Sequence, residues 1–326
     1  MHDVKIKVSR RTALVGAGAA VASTITSGLV SSTFVQASEP SPAPNPSLAA
    51  EHAVGEFKVF TLLDGAVNAS DPQSTFGMNQ EPEVFAEVSR ENFIPHETFR
   101  AFFTPTVVDT GQEIVLFDTG VGEGGRPARG NMRAALAGAG FTPEQIDVVV
   151  LTHMHPDHIG GLMEGGAPAF PNARYVTGQT EYDFWAGMDP ESNGVAKLVA
   201  DNVTPLADRM TFVGEGDSVV SGITAMSAFG HTPGHMLFML ESSGQSLLLA
   251  ADTANHYVWS LAYPDWEVRF DMDKTAAAET RRRIFGMLAA DRVPFVGYHM
   301  PFPAVGYVEA RDNGFRYVPA SYQLQL

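Results

Sequence analysis

Leu151-Thr152-His153-Met154-His155-Pro156-Asp157-His158-Ile159-Gly160-Gly161 is the stretch whose reading decides the fold. Three histidines and an aspartate fall between positions 153 and 158. An apolar run, Val148-Val149-Val150-Leu151, leads in, and a Gly-Gly turn follows. The run reads as a buried strand and the polar cluster as the loop leaving it. Imidazoles and a carboxylate packed this densely suit borderline divalent metals such as zinc. His153 and His155 are two apart, so in an extended segment they point the same way. Asp157 and His158 are adjacent and point to different sides. The pattern suggests a dinuclear site, one metal on His153 and His155 and a second on Asp157 and His158.

At 326 residues and 44% hydrophobic, the chain is long enough for one large domain or two small ones with a sizeable core. It contains no cysteine, which excludes disulfides, thiolate zinc sites and a cysteine nucleophile. The formal net charge of −16 argues against a nucleic-acid partner, because phosphate binding wants a basic surface.

Residues 1–37 read as an export signal. Lys5, Lys7, Arg10 and Arg11 form a basic start, Thr12 to Val35 is apolar and uncharged, and Val35-Gln36-Ala37 has the small-x-small form that precedes cleavage. Ser9-Arg10-Arg11-Thr12 resembles a twin-arginine signal, which implies a periplasmic or secreted protein with no membrane span after removal. A membrane anchor is the competing reading, disfavoured by the run's small residues. Residues 38–53 read as a Pro-rich linker, and 54–326 as the folded domain.

Within that domain Phe57–Leu63 reads as a first strand, Phe103–Val108 and Ile114–Phe117 as a hairpin, and 131–139 as a short helix. Residues 68–98 show weak periodicity and are left as a loop over the site or a dimer contact. Thr180–Ala186 and 189–210 read as helical. Strands are expected near 210–213, 222–228, 237–241 and 246–250. A helix capped by Asp273 is expected from Lys274 to about Ala290, and a last core strand at Phe295–Tyr298.

The His153, His155, Asp157, His158 spacing resembles the H-x-H-x-D-H signature of the metallo-β-lactamase superfamily. The resemblance implies an α/β fold, a four-layer αββα sandwich with metals at one edge between the sheets. It implies that His231, in Gly230-His231-Thr232-Pro233-Gly234-His235, joins His153 and His155. It puts Asp252, after Leu247–Ala251, as a carboxylate bridging two cations, and His299 with Asp157 and His158 on the second. Asp118 would orient a ligand histidine from behind, and His235 would sit behind the metals rather than on them. His256 is left open as pocket lining or polar surface. The implied cofactors are two divalent ions, zinc foremost. Two such cations lower the pKa of a shared water, so that hydroxide exists at neutral pH, with Asp157 orienting it.

Thr152–Met163, Ala169–Ala173, Asp183–Trp185 and 299–319 resemble the methyl parathion hydrolase-like subgroup. That resemblance implies a small, neutral, apolar substrate (an organophosphate triester, lactone or aryl ester), a homodimer, and Trp185 in the leaving-group pocket. Phe102, Tyr257 and Trp259 are further pocket candidates. Two departures bear on the substrate. Lactonases acting on N-acyl homoserine lactones carry a tyrosine three residues after the bridging aspartate, where this chain has Asn255, and the loop after Gly120 is glycine-rich. The alternatives are such a lactonase as the main activity, or a single-iron persulfide dioxygenase of the same fold.

Overall fold

The computed structural model describes residues 48–321. The expected export signal and most of the expected linker lie outside the described residues. The first strand, β1 (Ala49–Val54), runs antiparallel to β2 (Phe57–Leu62), so the folded domain starts before the expected position 54. Two segments left open by the sequence follow. β3 (Gly65–Ser70) pairs with β4 (Thr98–Phe103), and helix α1 (Pro82–Glu91) lies between them. The expected strand from Phe103 to Val108 is two strands. β4 ends at Phe103 and β5 (Thr106–Asp109) begins after Pro105, a residue with no N–H to give to a ladder. β5 forms the expected hairpin with β6 (Ile114–Phe117).

α2 (Met132–Gly138) precedes β7 (Val148–Leu151), the strand read from the opening stretch. α3 (Pro156–Ile159) carries Asp157 and His158. β8 (Met163–Glu164) and β9 (Ala167–Pro168) form a small hairpin before β10 (Arg174–Gly178), α4 (Gln179–Ala186) and α5 (Gly194–Asn202). The helix expected over 189–210 is therefore shorter, with a 3-10 turn at Thr204–Arg209 before β11 (Met210–Val213). Seven strands make the first sheet, in the order β1-β2-β5-β6-β7-β10-β11.

The second sheet is built from β12 (Ser218–Val220), β13 (Ile223–Ser227), β14 (Met236–Ser242), β15 (Gln245–Leu249), β16 (Phe295–Val296), β17 (Val305–Arg311) and β18 (Gly314–Pro319), in that order. Helix α6 (Lys274–Asp291) falls between β15 and β16, and the Asp273 side chain accepts from the Ala276 amide at 3.0 Å, as its expected cap. The strand expected to be last is followed by the β17–β18 hairpin.

β7 explains the layering. Successive side chains of a strand point to opposite faces. Val148 and Val150 pack between the two sheets with Val115, Phe117 and Phe238. Val149 and Leu151 face the other way, onto Met132, Leu136 and Val199 of the helices. Both faces are covered, which is why the strand is apolar throughout. Ile284, Phe285 and Leu288 of α6 cover the second sheet. The result is the αββα sandwich, with no helix among the described residues long and apolar enough to cross a membrane.

One glycine sets how closely α6 approaches the site. Gly230 has φ +123, and a Cβ there would lie 2.2 Å from the Ala277 amide nitrogen. Its carbonyl accepts from the Asp273 amide at 2.9 Å, so the loop and the helix start are in backbone contact. Gly230→Ala should lose roughly 1–3 kcal/mol from backbone strain alone. Gly124→Ala, where a Cβ meets nothing within 4 Å, is the control. Equal urea midpoints for the two variants would sink this account.

Candidate metal centre

Five strand ends deliver the site. β6 ends at Asp118, β7 at Thr152-His153, β13 at the loop carrying His231, β15 at Asp252, and β16 at His299. The two sheets are tied together here, since the Met236 amide at the start of β14 donates to the Thr152 carbonyl at 2.9 Å.

Two donor groups form. His153, His155, His231 and Asp252 make one, and Asp157, His158 and His299 the other, each with donor atoms within 4.8 Å of one another. His231 Nε2 lies 2.9 Å from His155 Nδ1 and 3.2 Å from His153 Nε2. Asp157 Oδ2 lies 3.4 Å from His299 Nε2 and 3.6 Å from His158 Nε2. Asp252 belongs to both. Its Oδ1 is 3.2 Å from His158, and its Oδ2 is 3.3 Å from His231 and 3.1 Å from His299. Asp252 therefore stands between the two donor groups.

The outer nitrogens decide what the inner ones offer. His299 Nδ1 donates to the Phe102 carbonyl at 2.7 Å. His158 Nδ1 faces Asp118 Oδ2 at 2.8 Å, and His231 Nδ1 faces Asp271 Oδ1 at 3.0 Å. The Thr152 hydroxyl donates to Asp118 at 2.9 Å, which leaves its oxygen to accept from His153 Nδ1 at 3.1 Å. Each of these imidazoles is thus held with its proton outward and its lone pair inward. Converging lone pairs around a buried carboxylate need a cation. His158 Nε2 and Asp252 Oδ1 make the same point, since both are buried and neither makes a hydrogen bond. The residues fit divalent metals.

The charges compete strongly. Burial lowers the basicity of His231, but Asp252 and Asp271 outweigh it and hold the imidazole at about 9, so a cation would have to displace a proton from the inner nitrogen before its lone pair is free. Burial also opposes protonation of His158, and Asp252 and Asp118 raise it well above its ordinary value. His153 goes well below, through burial and then the neighbouring His158. His235, pushed down to about 3 by burial and then by His231, is not in either donor group. It accepts from the Asp252 amide at 3.3 Å, behind the donors as expected.

Three buried groups carry no motif and were not anticipated. Asp271 receives His231 on one oxygen and Arg281, fully buried on α6, on the other at 2.7 Å. Glu181 is completely buried and accepts four hydrogen bonds, from the Met154 and Gly234 amides, the Thr232 hydroxyl and Trp185 Nε1. It ties the His153–His155 loop to the His231 loop. Asp64 accepts from the Val121, Gly130 and Met132 amides and pins the glycine-rich loop.

The expected pocket residues divide between cavities. Asp157, Asp252 and His299 open into one of about 610 Å³, walled by Phe99, Phe103 and Phe270 among others. Phe102, Tyr257 and Trp259 line a second of about 480 Å³ that shares Phe99 and His299 with the first. Trp185 lines neither. It borders an open groove beside His155, and its 4% exposure and bond to Glu181 make it foremost a packing residue.

Known proteins match at this level. The family described as the metallo-beta-lactamase superfamily matches residues 104–295, more than half of the chain. The N-acyl homoserine lactonase AttM of Agrobacterium fabrum is 28% identical over 127 residues, 35% of this chain and 44% of AttM. The matched stretch therefore spans less than half of that relative's length. The fold of AidC, a dizinc quorum-quenching lactonase solved with the product N-hexanoyl-L-homoserine, superposes with a TM-score of 0.77 at 24% identity, over 85% of this chain and 99% of AidC. The hydrolase AbOPH of the beta lactamase superfamily does so with 0.77 at 25%, over the same shares.

Asp271→Asn keeps the size of the side chain but weakens its hold on His231 and Arg281. Metal affinity at the first donor group should fall about 10–100-fold, as for other outer partners of metal histidines. Competition with a chromophoric chelator measures this, and wild-type affinity in the variant would refute the role.

Proposed function

The chain belongs to the metallo-β-lactamase superfamily, and from that premise we propose that it is a dinuclear-metal hydrolase of neutral esters and lactones. The observation that carries the reading is Asp252, one carboxylate facing His158 with one oxygen and His231 and His299 with the other. His153, His155 and His231 with Asp252 would hold one ion, and Asp157, His158 and His299 with Asp252 the other, zinc being the ion that suits such donors. When bound, such ions supply Lewis acidity and make water acidic enough to serve as nucleophile near neutral pH.

The chain's own groups do the rest. Asp157 is the more exposed of the two carboxylates and opens into the cavity, placed to orient the attacking water and accept its proton. Asn255 donates to Asp252 Oδ2 at 2.8 Å and fixes that carboxylate's rotation. Phe99, Phe103 and Phe270 exclude water from the substrate's apolar body. Ester and lactone hydrolysis leaves a carboxylate. Arg129 and Arg269 line the same cavity, laid over Phe103 and Phe270 at 5.5 and 5.4 Å, and would offset that charge.

The set Asp157, His158, His299 speaks against a single-iron dioxygenase, which needs only one donor group. Phosphotriester hydrolysis would use the same nucleophile, and the apolar walls accommodate it. The basic start and small-residue run of 1–37 support export of the folded chain.

Turnover of the zinc-loaded protein on methyl parathion, a long-chain acyl homoserine lactone and an aryl acetate tests the reading, and no turnover of any of them would refute it. Asp252→Ala should lose one metal equivalent and reduce turnover by more than the about 100-fold expected of an outer partner. A variant with two metals and full turnover would remove Asp252 from its bridging role.

A further inference from the structure

The second cavity, of about 480 Å³, adjoins the metal cavity at His299 and Phe99. Its wall is mostly apolar and aromatic, from Ile94, Phe102, Tyr257 and Trp259. Asn68, Thr98 and Arg100 also line it but are exposed, and His256 is the buried polar group of the wall beside the metal donor His299. Its ring stacks on Trp259 at 4.1 Å and 16°, and on Tyr257 at 4.8 Å and 29°. Two backbone amides, of Val258 and Trp259, donate to its Nδ1, each at 3.2 Å. An acceptor nitrogen of a neutral imidazole leaves the proton on the other nitrogen, so the tautomer is fixed with hydrogen on Nε2. Burial agrees, pushing the imidazole down to about 3 and keeping it uncharged at neutral pH. The residue is only 8% exposed, and Nε2 has no hydrogen-bond partner among the described residues.

We propose that His256 is a specificity-determining residue, an N–H donor that receives a carbonyl oxygen on the apolar arm of the substrate, in the aromatic cavity beside His299. The proposal rests on the hydrolase reading for the identity of the reacting end, but not for the recognition of the arm. A rigid donor in an apolar wall discriminates because a substrate without the acceptor leaves the N–H unpaired. His256 cannot turn away, since its Nδ1 is engaged by two amides and its face by Trp259. The substrate class is thus narrowed from apolar esters to those whose arm carries a ketone or amide oxygen.

A matched pair of esters tests this: phenyl 4-oxooctanoate against phenyl octanoate. The zinc-loaded wild type should prefer the oxo ester by about tenfold in kcat/KM, the value of one hydrogen bond. The preference should fall to near unity in His256→Phe, which keeps an aromatic ring and removes the donor. His256→Gln, which keeps an amide N–H, should retain part of it. A wild-type preference surviving in His256→Phe would overturn the proposal, as would equal kcat/KM for the two esters in a wild type that hydrolyses both. The holoprotein labelled with 15N at histidine supplies a readout that needs no turnover. Titration with 2-octanone should shift the Nε2–H resonance that is lost in His256→Phe and His256→Gln, and an unmoved resonance would overturn the proposal. If neither ester is hydrolysed but the resonance moves, the hydrolase reading fails while the recognition site stands.

Discussion

Four imidazole nitrogens converge on one buried carboxylate, Asp252, and the architecture around the site follows from holding them there. Lone pairs that face one another across about 3 Å repel, and a buried carboxylate without full pairing costs several kcal/mol. Local secondary structure does not supply such an arrangement. It is imposed by strands that end at one edge of two packed sheets, so that each donor arrives from a different part of the chain. The unpaired His158 Nε2 and Asp252 Oδ1 mark where the protein leaves its polar demand to a cation.

Behind the donors stands a ring of buried carboxylates, each shared between two elements. Asp118 takes the Thr152 amide, the Thr152 hydroxyl and His158, so one residue fixes both the end of β7 and the first turn of α3. Its own backbone sits at φ 60, a conformation uncommon outside glycine, which puts local strain where the geometry needs it. Asp271 relays Arg281 of α6 to His231. Glu181 has its charge spread over four donors from three segments, and that dispersal offsets its burial. α4 and α6 therefore reach the metal centre through carboxylates, although neither supplies a donor to it.

The sequence made the donors legible because they are dense. His153 to His158 cannot be mistaken for surface polarity, and His231, Asp252 and His299 each follow an apolar run that reads as a strand. Glu181 and Asp271 are charged residues in helix or turn, Arg281 is one of three consecutive arginines on α6, and nothing in their local spacing separates them from solvated ones. Only the packing shows them buried. Trp185 is the reverse case: its resemblance to a pocket aromatic was visible and it lines a groove beside His155, while the Glu181 bond that draws it inward was not legible. The β17–β18 hairpin lacked a strong alternation, and its register depends on β16, which is two residues long and held by β15 from the other side.

The division between reaction and recognition follows from the same topology. The donors are anchored in both sheets, so they are the rigid part of the site. The segment after Asp252 is anchored differently: Asn255 holds the carboxylate, Ser260 receives the Asn255 and His256 amides, and Trp259 is bonded to Ser89 on α1. It packs with Phe76, Phe85 and Trp266 in a cluster of its own, apart from the sandwich core. Substitution there can reshape the second cavity without moving a strand end. On the proposed reading, the donor set would determine what kind of bond is attacked, and the 255–259 turn with the aromatic cluster beneath it which molecule presents that bond.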